Sequence, residues 1–237
     1  MILETRRLSF KTRRQDDTKI KIMLLCLYVK NKNNMKEEKL NAWSHAVGCV
    51  VAVWMCWALM AKCDGCDWTY KVGVVVFAVG AFMQYLASTL YHLAESGERK
   101  ARLRIFDHVS IYVLIAASYT PVWLSILGGV AGWVGFGVMW AVAIGGMVYK
   151  LLAIGKFPRL SLIIYLAMGW SVVFVAQPVW DATPAEGLWW LLVEGLAYSG
   201  GAVFYANHKR YRYFHLVWHL FVLMGTVAHF MFLWETL

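Results

Sequence analysis

The chain has 237 residues, of which 60% are hydrophobic and only 16% charged, with 13 Trp among them. That balance excludes an ordinary soluble enzyme and a disordered chain, and it describes a polytopic membrane protein. The formal net charge of +9 would suit a nucleic-acid partner, but the placement of the basic residues argues for membrane topology and against nucleic acid.

The first 39 residues are basic. Within them Ile20 to Val29 is too short, and too interrupted by Lys, to cross a bilayer, and no cleavable signal peptide is evident. Met35 precedes Lys36-Glu37-Glu38-Lys39 and the first good span, so residues 1–34 are expected to be a dispensable arm or an upstream start. The chain thus divides into a basic cytoplasmic arm over 1–38, open to partial disorder, and a transmembrane domain over 39–237.

Seven stretches are long and apolar enough to span, which predicts an all-α bundle of seven transmembrane helices. They cover about residues 41–61, 72–93, 105–126, 131–154, 160–180, 187–206 and 214–234. Short connections predict that each helix packs antiparallel to the next. Of the Lys and Arg residues, 11 lie in the arm, 4 in the second loop, and 3 in each of the fourth and sixth loops, which makes 21 on one face. The opposite face has two, Lys62 and Lys71. The positive-inside rule then puts the N-terminus in the cytoplasm and the C-terminus outside. This is opposite to the seven-helix rhodopsins, and the last span has no lysine for a retinal Schiff base.

With that topology, polar residues from four helices converge on one inner-leaflet layer. His215-Leu-Val-Trp-His219 begins the last span, with two imidazoles at i and i+4 on one face, about 6 Å apart along the axis. His92 closes the second span, four residues after Ser88, and Asp107 and His108 open the third. Asn41-Ala-Trp-Ser-His45 opens the first. Ionisable groups at such depth are costly and are read as functional by default. His92, His215 and His219 can supply three nitrogens of a tetrahedral zinc site. Ser88 can add a hydroxyl near the metal, or bond back to its own helix carbonyl. Asp107 can act as a base, orient a histidine, ligate directly, or simply complement a helix N-terminus. Leu216 stands where a zincin motif has its Glu, which makes Asp107 the nearest candidate base.

These motifs, together with Phe106-Asp107-His108 and Tyr119-Thr-Pro121, resemble the hemolysin III family over about residues 37–235. That family is the bacterial branch of the progestin and adiponectin receptor (PAQR) proteins, in a superfamily that includes alkaline ceramidases. The resemblance implies a multi-pass protein of the bacterial inner membrane with seven helices and a cytoplasmic N-terminus. It also implies Zn2+ on His92, His215 and His219, with Ser88 and Asp107 beside it. One residue departs from the pattern: Glu194 stands where relatives commonly have a second glycine. It lies toward the outer half, where it can snorkel, stay protonated or pair with a neighbour.

Other polar residues are expected to stand apart from the metal. His45 suits a supporting or packing role, since a fourth imidazole would close the coordination sphere. His108 points about 100° away from Asp107 on its helix. His229 suits a hydrogen bond between helices, and His208 a solvated loop. Cys63-Asp-Gly-Cys66 lies in an outside loop where a disulfide can form, whereas Cys26, Cys49 and Cys56 look ordinary. Pro121 and Pro178 are expected to kink their helices.

Three functions compete. The first is a zinc-dependent hydrolase of lipid amide or ester bonds, with Asp107 and Ser88 as its catalytic side chains and a membrane lipid or fatty acid as its ligand, serving membrane lipid homeostasis. The second is a non-catalytic sensor of membrane state with structural zinc. The third is a pore-forming haemolysin, for which no charged stripe along any helix speaks.

Overall fold

The computed structural model describes the backbone over residues 2–152 and 158–236, and the side chains over 23, 25, 34–152 and 159–236. The arm's remaining side chains, Cys26, Lys156 and the expected end of the fourth span at Ile154 lie outside these residues. Among the described residues all regular structure is helical. Helix α1 runs Ile2–Lys62, and the chain's contacts divide it between two units, Met1–Lys39 and Leu40–Leu237.

Within the second unit, α2 (Trp68–Leu93) and α3 (Glu98–Pro121) form a hairpin through a turn containing Gly97. The φ of +135° at Gly97 is one that only glycine takes without strain. α4 (Gly129–Leu152) and α5 (Pro158–Gly169) follow, then α6 (Ala176–Ala182), α7 (Ala185–Asn207) and α8 (Phe214–Glu235). Six helical segments among the described residues are long and apolar enough to cross a membrane, one of them running from Arg159 to Ala182 through α5 and α6. α7 matches them in length, but Glu186, Glu194 and its glycines and tyrosines make it less apolar.

The surface is apolar and much of the polar chemistry is inside. Phe174 is 90% exposed and Val130 83%, while Asn41, His45, Gln84, Ser88, His92, Asp107 and His219 are buried. In water the exposed side would be a large liability; in a bilayer it is the solvent-facing side. Without a hydrophobic drive between helices, close packing depends on small residues. A Cβ at Gly80 would come within 2.5 Å of Ala117 Cβ, so α2 and α3 touch almost backbone to backbone. That contact fixes the end of α2, with His92, beside the start of α3, with Asp107.

Both prolines break the α-helical pattern. After Pro121 the chain widens into a π-helical turn over Val122–Leu127, closed by the Gly128 N–H donating to Trp123 O at 3.1 Å. Before Pro178 it tightens into a 3₁₀ segment, Trp170–Val175, because a proline ring clashes with the carbonyl four residues back. The backbone freed there is held by one side chain: Tyr119 Oη donates to Gly169 O (2.6 Å) and accepts from Val172 N–H (3.0 Å). Cys63 and Cys66, just past α1, form a disulfide.

Candidate metal centre

The end of α2 and the starts of α3 and α8 meet beside residues 41–45 of α1. Tyr213 precedes α8, and its φ of +63°, rare for a residue with a side chain, sets the direction in which His215 and His219 leave. One ligand-capable nitrogen from each of His92, His215 and His219 lies within 4.8 Å of the others. The ring centroids are 5.1 Å apart for His92 and His215, 5.0 Å for His92 and His219, and 4.8 Å for His215 and His219.

The tautomer of His219 follows from its hydrogen bonds. Its Nδ1 lies 3.2 Å from Asn41 O and 3.0 Å from Ser44 Oγ. Ser44 gives its own hydrogen to Asn41 O at 2.7 Å, so its oxygen is free to accept. Nδ1 is therefore the N–H donor, and the lone pair is left on Nε2, the arrangement a metal-ligating imidazole needs. His92 Nε2 and His215 Nε2 face each other at 3.2 Å. Two nitrogens on a tetrahedral zinc, each ~2.0–2.1 Å from it, sit about 3.3 Å apart, so this spacing fits a shared cation.

The oxygen chemistry is adjacent. Asp107 is buried beside the His92 ring and the Ser88 hydroxyl. Ser88 Oγ is itself buried, near that carboxylate but without hydrogen-bond geometry to any described group. Two residues missed from sequence hold the carboxylate. Ser110 Oγ donates to Gln84 Oε1 at 2.7 Å, which turns the amide so that Nε2 points at Asp107 Oδ1, 3.5 Å away. Gln84, Ser88 and His92 are spaced i, i+4, i+8 along one face of α2, a pattern present in the sequence.

The other histidines separate from the triad. His45 lies flat on His219, with centroids 3.8 Å apart and planes 9° apart, and neither of its nitrogens has a partner among the described residues. A ring stacked face to face turns its nitrogens away from the point its neighbour addresses, so His45 packs. His108 Nδ1 donates to Arg104 O at 2.7 Å, and its Nε2 lies 3.3 Å from the Tyr205 hydroxyl. His208 lies, as expected, in the turn after α7 and is half exposed. The last turn of α7 folds it back, so that Nδ1 donates to Tyr205 O at 2.5 Å and the ring sits 5.2 Å from His215. Glu194, unassigned from sequence, pairs with His229, Nδ1 to Oε2 at 2.9 Å.

A cavity runs between α2, α3, α5, α7 and α8. Leu114, Ile115, Leu162, Leu166 and Val222 line it, with His45 and Gln84 also on its wall. It stops one side chain short of the triad, since His45 touches His219 and Gln84 touches Asp107.

Comparison with known proteins agrees with this architecture. Residues 33–230 match the family described as haemolysin-III related. The chain is 35% identical to the Hemolysin-3 homolog of Bacillus subtilis over 198 residues, covering 83% of this chain and 92% of that protein. It is 34% identical to Hemolysin-3 of Bacillus cereus over 198 residues, 83% and 90% of the two chains. It is 31% identical to the human monocyte to macrophage differentiation factor over 210 residues, 85% and 84%. This multi-pass membrane protein, with three imidazoles gathered at one end of its bundle, belongs to the haemolysin-III-related family.

Proposed function

We propose that the chain is a zinc-dependent hydrolase of lipid amide or ester bonds, acting in membrane lipid homeostasis. The observation that carries this reading is the triad of imidazole nitrogens within 4.8 Å, flanked by a buried carboxylate and an unsatisfied hydroxyl. We propose also that α7 is the seventh span, so that 21 basic residues face the cytoplasm with the N-terminus and 2 face outward. The site then lies under the inner headgroups, where a lipid reaches it from the side.

His92, His215 and His219 would hold the ion, and Asn41 and Ser44 keep His219 in the correct tautomer. Bound there, zinc would polarise a carbonyl and make water acidic near neutral pH. Asp107 takes the proton of the attacking water and delivers it to the leaving amine or alcohol. Gln84, fixed by Ser110, keeps that carboxylate aimed. Ser88 donates to the oxygen on which negative charge develops. Apolar side chains lining the cavity take the acyl chain, and by excluding water they strengthen every charge interaction at the site.

Incubation of purified protein with a panel of ceramides and N-acyl amides tests this. Metal-dependent release of fatty acid, abolished in His215→Ala and Asp107→Asn, is expected. Turnover that is absent, or unchanged in both variants, refutes it.

The position of Asp107 beside His92 favours one second reading, a membrane-state regulator with structural zinc, because a carboxylate so placed can serve as a fourth protein ligand. X-ray absorption of the zinc-loaded protein separates the two: a carboxylate in the fourth position that persists with lipid bound supports the regulator.

A further inference from the structure

The cavity has a second polar locus. Glu194 on α7 and His229 on α8 both line it, away from His45 and Gln84. Their side chains are 13% and 3% exposed, and they are joined by the 2.9 Å bond from Nδ1 to Oε2. His229 packs on Phe77 and Phe232, with centroids 4.6 and 5.6 Å away. Its Nε2 is buried and has no partner among the described residues. Leaving a polar atom bare in hydrocarbon is costly, and a guest in the cavity can relieve that cost.

We propose that Glu194 and His229 form a second subsite, which holds a hydroxyl group on the chain of a lipid guest. This rests on the lipid-hydrolase reading for the position of the guest's other end, at the His92, His215 and His219 layer. His229 is ten residues beyond His219, which places it about 15 Å farther along α8. That is half of the roughly 30 Å hydrocarbon thickness, the depth one acyl chain covers.

The chemistry of the pair selects the group. With Nδ1–H donated to the Glu194 carboxylate, Nε2 accepts; with one more proton on the pair, Nε2–H donates. A hydroxyl satisfies either state. A terminal carboxylate would face Glu194 and be repelled, and a bare methyl would leave Nε2 unpaired. The favoured substrate is therefore a lipid amide or ester whose chain is hydroxylated far from the scissile carbonyl.

Equilibrium binding of tritiated N-lauroyl ethanolamine and its ω-hydroxylauroyl counterpart to the full-length protein in nanodiscs tests the subsite without relying on turnover. The wild type is expected to bind the hydroxylated amide about tenfold more tightly. His229→Phe, which keeps the aromatic packing but removes Nε2, is expected to bring the two amides to parity, whereas Glu194→Gln, whose amide oxygen still accepts Nδ1–H, is expected to keep the preference. Thermal midpoints of both variants confirm folding. Equal affinity in the wild type, no binding of either amide, or a preference that survives in His229→Phe overturns the subsite. Hydrolysis of the same two amides is scored separately: binding preference without turnover would sink the hydrolase reading and leave the subsite standing.

Discussion

Ser44→Ala probes the metal centre without touching a ligand. In the wild type His219 Nδ1–H is shared between Ser44 Oγ at 3.0 Å and Asn41 O at 3.2 Å. Ser44 also holds that carbonyl in place through its own 2.7 Å bond. The substitution removes the shorter acceptor and releases the carbonyl, while leaving one longer bond to bias the tautomer. Loss of such an orienting partner typically weakens metal binding about 10- to 100-fold, and the surviving bond places this case at the lower end. The expected effect is thus about tenfold, or roughly 1.4 kcal/mol. His219→Ala, which removes a ligand outright, should exceed it. Competition between purified protein and a chromogenic chelator for Zn2+ measures both. If Ser44→Ala binds zinc as the wild type does, His219 is not oriented in this way. If His219→Ala retains stoichiometric, tight zinc, the triad is not the site.

Further outcomes follow from packing and chemistry. Tyr119→Phe strips the hydroxyl that serves both Gly169 O and Val172 N–H, and should cost about 1–3 kcal/mol in detergent unfolding; no loss would show the 3₁₀ segment to be self-sufficient. Gly80→Ala forces a methyl to within 2.5 Å of Ala117 Cβ and should cost about 1–3 kcal/mol, with weakened zinc binding because the α2–α3 contact sets His92 against Asp107. Gly137→Ala, with nothing within 4 Å of the added methyl, is the control and should be neutral or slightly stabilising. Membrane-impermeant maleimide applied to intact cells should label Cys63 and Cys66 only after reduction, since the two are paired, whereas Cys26 should react only after lysis. Labelling of Cys26 from outside would reverse the proposed topology.

Much of this arrangement could be read from the sequence because its causes are local. A run of about twenty apolar residues has few structural options in a bilayer, and His215 and His219 share a helix face whatever surrounds them. The same holds for Ser88 and His92. What could not be read depends on which helices touch. Glu194 and His229 are 35 residues apart on neighbouring helices, and nothing local to either identifies the other as its partner. Ser110 lies 2.9 Å from the backbone carbonyl of Asp107 within α3, but its 2.7 Å contact with Gln84 exists only once α2 and α3 are packed. His208 is a turn residue as its sequence suggests, but the ring contact that lays it against Tyr205 carries no marker in the sequence. The weakly apolar α7 has the same origin. A helix holding Glu194 inside the bundle loses hydropathy through the residue that gives it a specific partner.

The distribution of polarity along the bundle bears on which guest the cavity suits. Ionisable side chains gather in two layers, one around His92, His215, His219 and Asp107 and the other at Glu194 and His229, about 15 Å apart along α8. Between them the cavity wall is largely Leu, Ile, Val and aromatic. An ion or water pathway needs polar groups spaced closely enough to replace a hydration shell throughout, and most of that wall is apolar, with hydroxyls only at Ser118, Tyr119, Tyr165, Tyr198 and Ser199 among its lining residues. A molecule with an apolar middle and a polar far end meets a matching surface along the cavity, its head reaching toward His45 and Gln84, one side chain short of the triad. The apolar stretch would be a barrier to a pore's traffic, and it is the part of the cavity that binds a chain.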